Sequence, residues 1–113
     1  MFGLLRLGEH NVDYGLFGIN MNFLAEPQWA GKVAQHAETL GFESLWTGEH
    51  VVLPDPRQAP SPAAPETPML HPPVLLAYLA SLTSEIKLGT GITLIAQRNP
   101  VVLAKEISSL DFF

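Results

Sequence analysis

The chain has 113 residues, 47% of them hydrophobic and 15% charged, with a net charge of −5. That length suffices for one modest domain, and the apolar residues are spread along it as in a globular protein. Its six Lys and Arg residues are scattered and form no basic stripe that would release counterions from phosphates, and without cysteine there is neither a disulfide framework nor a thiolate metal site.

In chain order, residues 1–7 are apolar around Arg6, but Glu9 and Asp13 follow at once and no small-residue cleavage site appears, so no export signal is read. Together with the lack of cysteine this fits a reducing cytoplasm, the expected location. Residues 15–19, Gly-Leu-Phe-Gly-Ile, are a short apolar run with the pattern of a strand buried on both faces. A helix follows, with Pro27 in its first turn, Val33, Ala34, Ala37 and Leu40 on one face, and Gly41 as its C-terminal cap. After a tight return, Ser44-Leu45-Trp46-Thr47 reads as a second buried strand.

Residues 48–73 carry eight prolines, which deny the backbone its donors and mark a long loop. Pro72 and Pro73 start a second helix with Val74, Leu75, Leu79 and Leu82 as its stripe; residues 74–82 fall far short of the roughly 20 apolar residues a membrane span needs. Residues 86–92 form a third strand ending in glycines. Asn99-Pro100 then opens a third helix, Asn as N-cap and Pro at the first position, with Leu103, Ala104, Ile107 and Leu110 on its apolar face.

Three strand-helix units in unbroken alternation imply parallel strands with right-handed crossovers, in either a doubly wound sheet or a barrel. The returns from helix to strand are short, whereas the loops after the strands span residues 20–26, 48–73 and 93–99. In both folds the elaborated face, at the strand C-termini, is where ligands bind. A dinucleotide-binding sheet would need a G-x-G-x-x-G turn after the first strand, and that turn is absent. Gly89-Thr90-Gly91 has only the first two glycines and lies in the third unit. Its glycines point instead to close approach of something flat, or to a strained backbone at the strand end.

Three segments resemble the luciferase-like monooxygenase superfamily, in particular its branch that uses the deazaflavin coenzyme F420. They are residues 15–21 (GLFGINM), 41–56 (GFESLWTGEHVVLPDP) and 86–111 (IKLGTGITLIAQRNPVVLAKEISSLD). The resemblance implies an α/β fold, the N-terminal three β/α units of a TIM (β/α)8 barrel, incomplete, since a whole barrel takes about 250 residues. Residues 15–113 are then the N-terminal part of the barrel domain and residues 1–14 an extension of unknown role. Open strand edges, and little or no turnover by the isolated chain, are the corresponding expectations; the rival reading is a truncated, non-catalytic product.

The implied chemistry is hydride transfer at a flavin or deazaflavin ring, with coenzyme F420 expected and FMN as the alternative. By resemblance Glu49 and His50 lie beside the ring and His50 is the acid/base candidate, a role imidazole fills near neutral pH. The family also tends to carry a non-prolyl cis peptide in its third strand, here Gly91-Ile92, so Thr90, Gly91 and Ile92 join Glu49 and His50 as expected cofactor-binding residues. Gln97, Arg98 and Asn99 follow near the cofactor, with Asn99 read as a cap. Pro54 stands where related sugar-phosphate dehydrogenases tend to carry tryptophan, so that assignment is not supported.

Each site residue has a plainer reading. His50 is then a loop histidine bonded to backbone, Glu49 a solvated carboxylate or a partner orienting His50, and Trp46 packing at the barrel wall. Nothing in the sequence converges on His36 or His71, and no His and carboxylate spacing matches a metal site. The expected partner is a small-molecule substrate, with no metal, nucleic acid or membrane, and with homo-oligomerisation left open for a full-length form.

Overall fold

In the computed structural model, which describes residues 12–113, helices alternate with short parallel strands. The order is β1 (Gly15–Phe17), a 3-10 turn (Asn22–Ala25), α1 (Pro27–Leu40), β2 (Ser44–Thr47), α2 (Pro72–Ala80), β3 (Lys87–Thr90), a second 3-10 turn (Ile95–Gln97) and α3 (Pro100–Leu110). Most of the expected extension, residues 1–11, lies outside the described residues. The strands pair in the order β1-β2-β3, with Leu16, Leu45 and Leu88 in one register row and Phe17, Trp46 and Gly89 in the next. This is a mixed α/β architecture, three consecutive β/α units of a partial barrel.

Because successive strand side chains alternate between faces, the leucine row turns to the helices and the aromatic row to the opposite side. Leu45 is buried in a core with Ile19, Ala30, Ala34, Ala37, Leu75, Leu79 and Ile86, and Leu16, Phe42, Leu70 and Leu88 pack against it. Small residues let α1 sit close. At Gly31 a Cβ would come within 2.9 Å of the Leu82 side chain and 3.1 Å of the Tyr78 hydroxyl, so a larger residue there would require these side chains to shift.

The ends of the helices follow the local signals. Gly41 takes a left-handed conformation (φ 82°) and closes α1, with its N–H on Glu38 and the Phe42 N–H on Ala37. Asn99 caps α3, its side-chain oxygen accepting from the Val101 and Val102 N–H groups at 3.0 and 3.2 Å. At the strand N-terminal side, one oxygen of Glu38 accepts the N–H groups of Ser84, Glu85 and Ile86, which fixes the short return into β3.

Three expectations are corrected. The first strand, expected to be buried on both faces, ends at Phe17 because Gly18 turns into the left-handed region (φ 83°). Its aromatic face is open, with Phe17 63% exposed, since among the described residues the three strands have no second layer opposite the helices. Leu40 and Val74, expected on apolar helix faces, are exposed, whereas Leu76 joins the buried set, α2 being packed against α1, β3 and α3. The peptide between Gly91 and Ile92 is trans; among the described residues the cis bonds are Asp55-Pro56 and Ala59-Pro60. A non-prolyl cis bond persists only where packing enforces it, and both Gly91 and Ile92 are exposed.

Among the described residues, no helix is long and apolar enough to cross a membrane.

Candidate functional site

The long loops after the strands are tied to one another at the strand C-termini, and Asn20 is the first tie. Fully buried just past β1, it donates from Nδ2 to the carbonyls of Gly48 and Leu70 at 2.9 and 3.0 Å and accepts the Gly48 N–H at 3.1 Å. The Leu70 N–H returns a bond to its carbonyl at 2.8 Å, next to a bridge between Met21 and Met69. The proline-rich loop thereby begins and ends against the segment that follows β1. Buried polar groups require such partners, so a side chain with both donor and acceptor suits a junction of three backbone groups.

Glu49 is the second tie. It is 2% exposed, and its carboxylate accepts from Arg98 and, at 2.5 Å, from the Leu94 N–H. Burial by itself pushes this carboxyl up; the Arg98 hydrogen bond, the Leu94 N–H and the Arg98 charge outweigh burial and hold it below the usual carboxylate range. The reading of Glu49 as a solvated carboxylate is therefore overturned: it is a buried anion with a partner. The network runs onward from Arg98 to His71, 2.7 Å away, and to Glu106 on α3 at 3.7 Å.

His71, on which nothing converged in the sequence, thus has a specific neighbour 27 residues away. No local signal announces it, because its partner arrives only when α2 and the loop after β3 pack together.

His50 follows Glu49 directly and is half-buried. Of the expected residues of the third unit, Thr90 ends β3, paired with Thr47, and Gly91 and Ile92 lie just beyond. The Gly91 N–H continues the ladder to the Thr47 carbonyl at 2.8 Å, and the Thr90 hydroxyl accepts from Thr93 at 2.9 Å. Strand alternation puts Thr90 on the leucine side of the sheet and Gly89 and Gly91 on the open side.

On that open side, the flat groups that approach the glycines are the chain's own rings. A Cβ on Gly89 would lie 2.6 Å from the Trp46 ring, and one on Gly91 2.5 Å from the Phe17 ring. Trp46 is anchored by its indole N–H on the Ser44 hydroxyl at 2.8 Å and reaches from Gly15 across to Gly89. Phe17 reaches from Gly48 to Gly91. Trp46 is not enclosed wall packing, since it is 40% exposed. Neither Gly89 nor Gly91 has a positive φ, so the glycines serve close approach and not strain.

The result is a surface tiled by two aromatic rings, with the exposed backbone at Gly91 beside the Phe17 ring and the Glu49–Arg98 pair in the loops that follow β2 and β3. A planar apolar ring fits such a surface, because the buried charge of Glu49 is paired with Arg98. Among the described residues, no three His, Asp or Glu side chains converge as a metal site would need.

Two curated mycobacterial relatives, both uncharacterized proteins, one from Mycobacterium tuberculosis (strain ATCC 25618 / H37Rv) and one from Mycobacterium bovis, are each 34% identical over 86 residues, covering 69% of this chain. The chain spans 30% of their length. The family model described as luciferase-like monooxygenase matches residues 1–112. Nearly the whole chain is covered, and it belongs to the luciferase-like monooxygenase family.

Proposed function

We propose that the chain supplies the first wall of an oxidoreductase site that holds coenzyme F420 and carries out hydride transfer to or from a small organic substrate. The observation that supports this reading best is the exposed aromatic surface of Phe17 and Trp46 on the sheet whose second strand runs into the buried, paired Glu49 and then His50. Sites at the C-terminal ends of barrel strands are where this architecture does its chemistry.

In this reading Phe17 and Trp46 form the floor on which the ring lies. Gly91 and Ile92, both exposed, and Thr90 beneath them form the edge against which it is set. Bound there, a deazaflavin supplies hydride chemistry, and FMN would supply oxygen chemistry as well. The protein's part is orientation and proton handling. His50 gives or takes the proton at an imidazole nitrogen. Glu49, occupied by Arg98 and Leu94, holds the His50 segment in place and does not itself transfer a proton. Three strands leave the opposite side open to water, so little turnover is expected from this chain by itself.

The rival within the class is an FMN-dependent monooxygenase; the matching family is described as luciferase-like monooxygenase, with no cofactor named. Titrating the protein with F420 and with FMN, followed by cofactor fluorescence, separates the two. Tight FMN binding without F420 binding would sink the preferred assignment, and cofactor-dependent substrate reduction by the purified chain would overturn the expectation of low turnover.

A further inference from the structure

We infer that Arg98 is a positioning residue of this wall, holding the segment after β2 against the segment after β3 through the buried carboxylate of Glu49. The inference deepens the reading of the site proposed above and rests on it.

Glu49 and Arg98 lie 49 residues apart, on two different post-strand segments. The same carboxylate that takes the Arg98 guanidinium also takes the Leu94 N–H on its second oxygen. It thus grips both ends of the turn from Leu94 to Arg98, and the exposed Gly91 and Ile92 run directly into the gripped end. On the other side, Glu49 is bonded in the chain to His50. One ion pair therefore sets the separation between the acid/base candidate and the edge expected to carry the ring.

Arg98 has further holds. Its Nη2 lies 2.7 Å from Nε2 of His71, the residue that precedes α2, and its Nη1 lies 3.7 Å from Glu106 on α3. A guanidinium has no lone pair to offer, so in this contact the Arg98 N–H donates and His71 Nε2 accepts. Only a planar fork of donors spans Glu49, His71 and Glu106 together; a lysine ammonium is a compact point charge on a flexible stem. The side chain is 11% exposed, and its Nε is buried with no partner among the described residues. All of the guanidinium's bonding is thus directed to the three segments it joins.

Loss of the guanidinium strands a buried charge at one place, so the disturbance is local to the two loops and does not extend to the Leu45 and Leu79 core. Parent chain, Arg98→Lys, Arg98→Met and Arg98→Met/Glu49→Gln are to be compared by amide hydrogen exchange and by titration with F420 and FMN. In Arg98→Met the Leu94 amide is expected to exchange at least tenfold faster, with Ala37 and Leu45 unchanged and ring affinity lowered at least tenfold. Arg98→Lys is expected to restore part of both, and removal of the stranded charge in the double variant part of the Leu94 protection. If Arg98→Met does not fold, the lysine and double variants carry the comparison against the parent.

Unchanged Leu94 protection in every variant overturns the inference, and so does equal acceleration at Leu94, Ala37 and Leu45, which is the signature of a merely stabilising ion pair. Binding of neither ring by the parent removes the functional reading instead, and the exchange comparison then still decides whether Arg98 holds the loops together.

Discussion

Replacing Asn20 by aspartate exchanges an amide for a carboxyl of the same shape at a position with no solvent exposure. The acceptor on the Gly48 N–H survives. The donor to the carbonyls of Gly48 and Leu70, 2.9 and 3.0 Å away, becomes an oxygen facing two oxygens. Two lost bonds at about 1 kcal/mol each, plus the cost of an unpaired buried charge, put the loss near pH 7 at about 3–5 kcal/mol. When protonated, the new carboxyl can donate to one of the two carbonyls and recover part of this.

Its folded pKa is therefore raised above the unfolded value of about 3.9. The sign follows: the variant is least handicapped below that unfolded value, and the handicap grows as pH rises through the raised pKa. Urea unfolding of parent and N20D between pH 4 and 7.5 measures the difference at each pH, which cancels the parent's own titration. A variant within about 0.5 kcal/mol of the parent at pH 7, or a gap that does not narrow toward pH 4, would refute the reasoning.

Three other outcomes are expected. Leu79→Ala, at a residue with no exposure, is expected to cost about 2–5 kcal/mol in urea unfolding, whereas Val74→Ala on the same helix, 68% exposed, is expected to be close to neutral; similar losses at both would contradict the packing of α2. The parent is expected to lose stability in acid: Glu49, Glu38 and Glu43 all have depressed pKa values, so their contribution is whole above the usual carboxylate range and is lost as pH falls through the depressed values. A Glu49→Gln variant has a flatter acid limb on this account, and a limb parallel to the parent's would exclude Glu49 as a contributor. Finally, Gly89→Ala is expected to lift the Trp46 indole off the sheet, at about 1–3 kcal/mol, and to shift the tryptophan emission of the folded protein; an unaltered spectrum would show that the ring does not lie where described.

How much of this was legible beforehand depends on the range of the signal. Pro27, Gly41, Pro72, Asn99 and Pro100 act within one helical turn, so they marked the helix ends, and the alternation of strand and helix implied a parallel sheet with its long loops at one end. Readings that depended on what covers a face changed: the aromatic face of β1 and β2 is open, and Leu40 and Val74 are exposed. Gly89 and Gly91 receive Trp46 and Phe17, and the peptide between Gly91 and Ile92 is not the expected cis bond.

The sequence by itself determined the order of the elements, the end of the sheet at which the site lies and, through its resemblance to a family, Glu49 and His50 as the residues to examine. Only the tertiary structure decided their surroundings. Asn20 meets Gly48 and Leu70, and Glu49 meets Arg98 and through it His71, across 27 to 50 residues of chain. Caps and strand periodicity act on neighbours in sequence, whereas pairing of buried polar groups is settled by which loops the packed helices bring together.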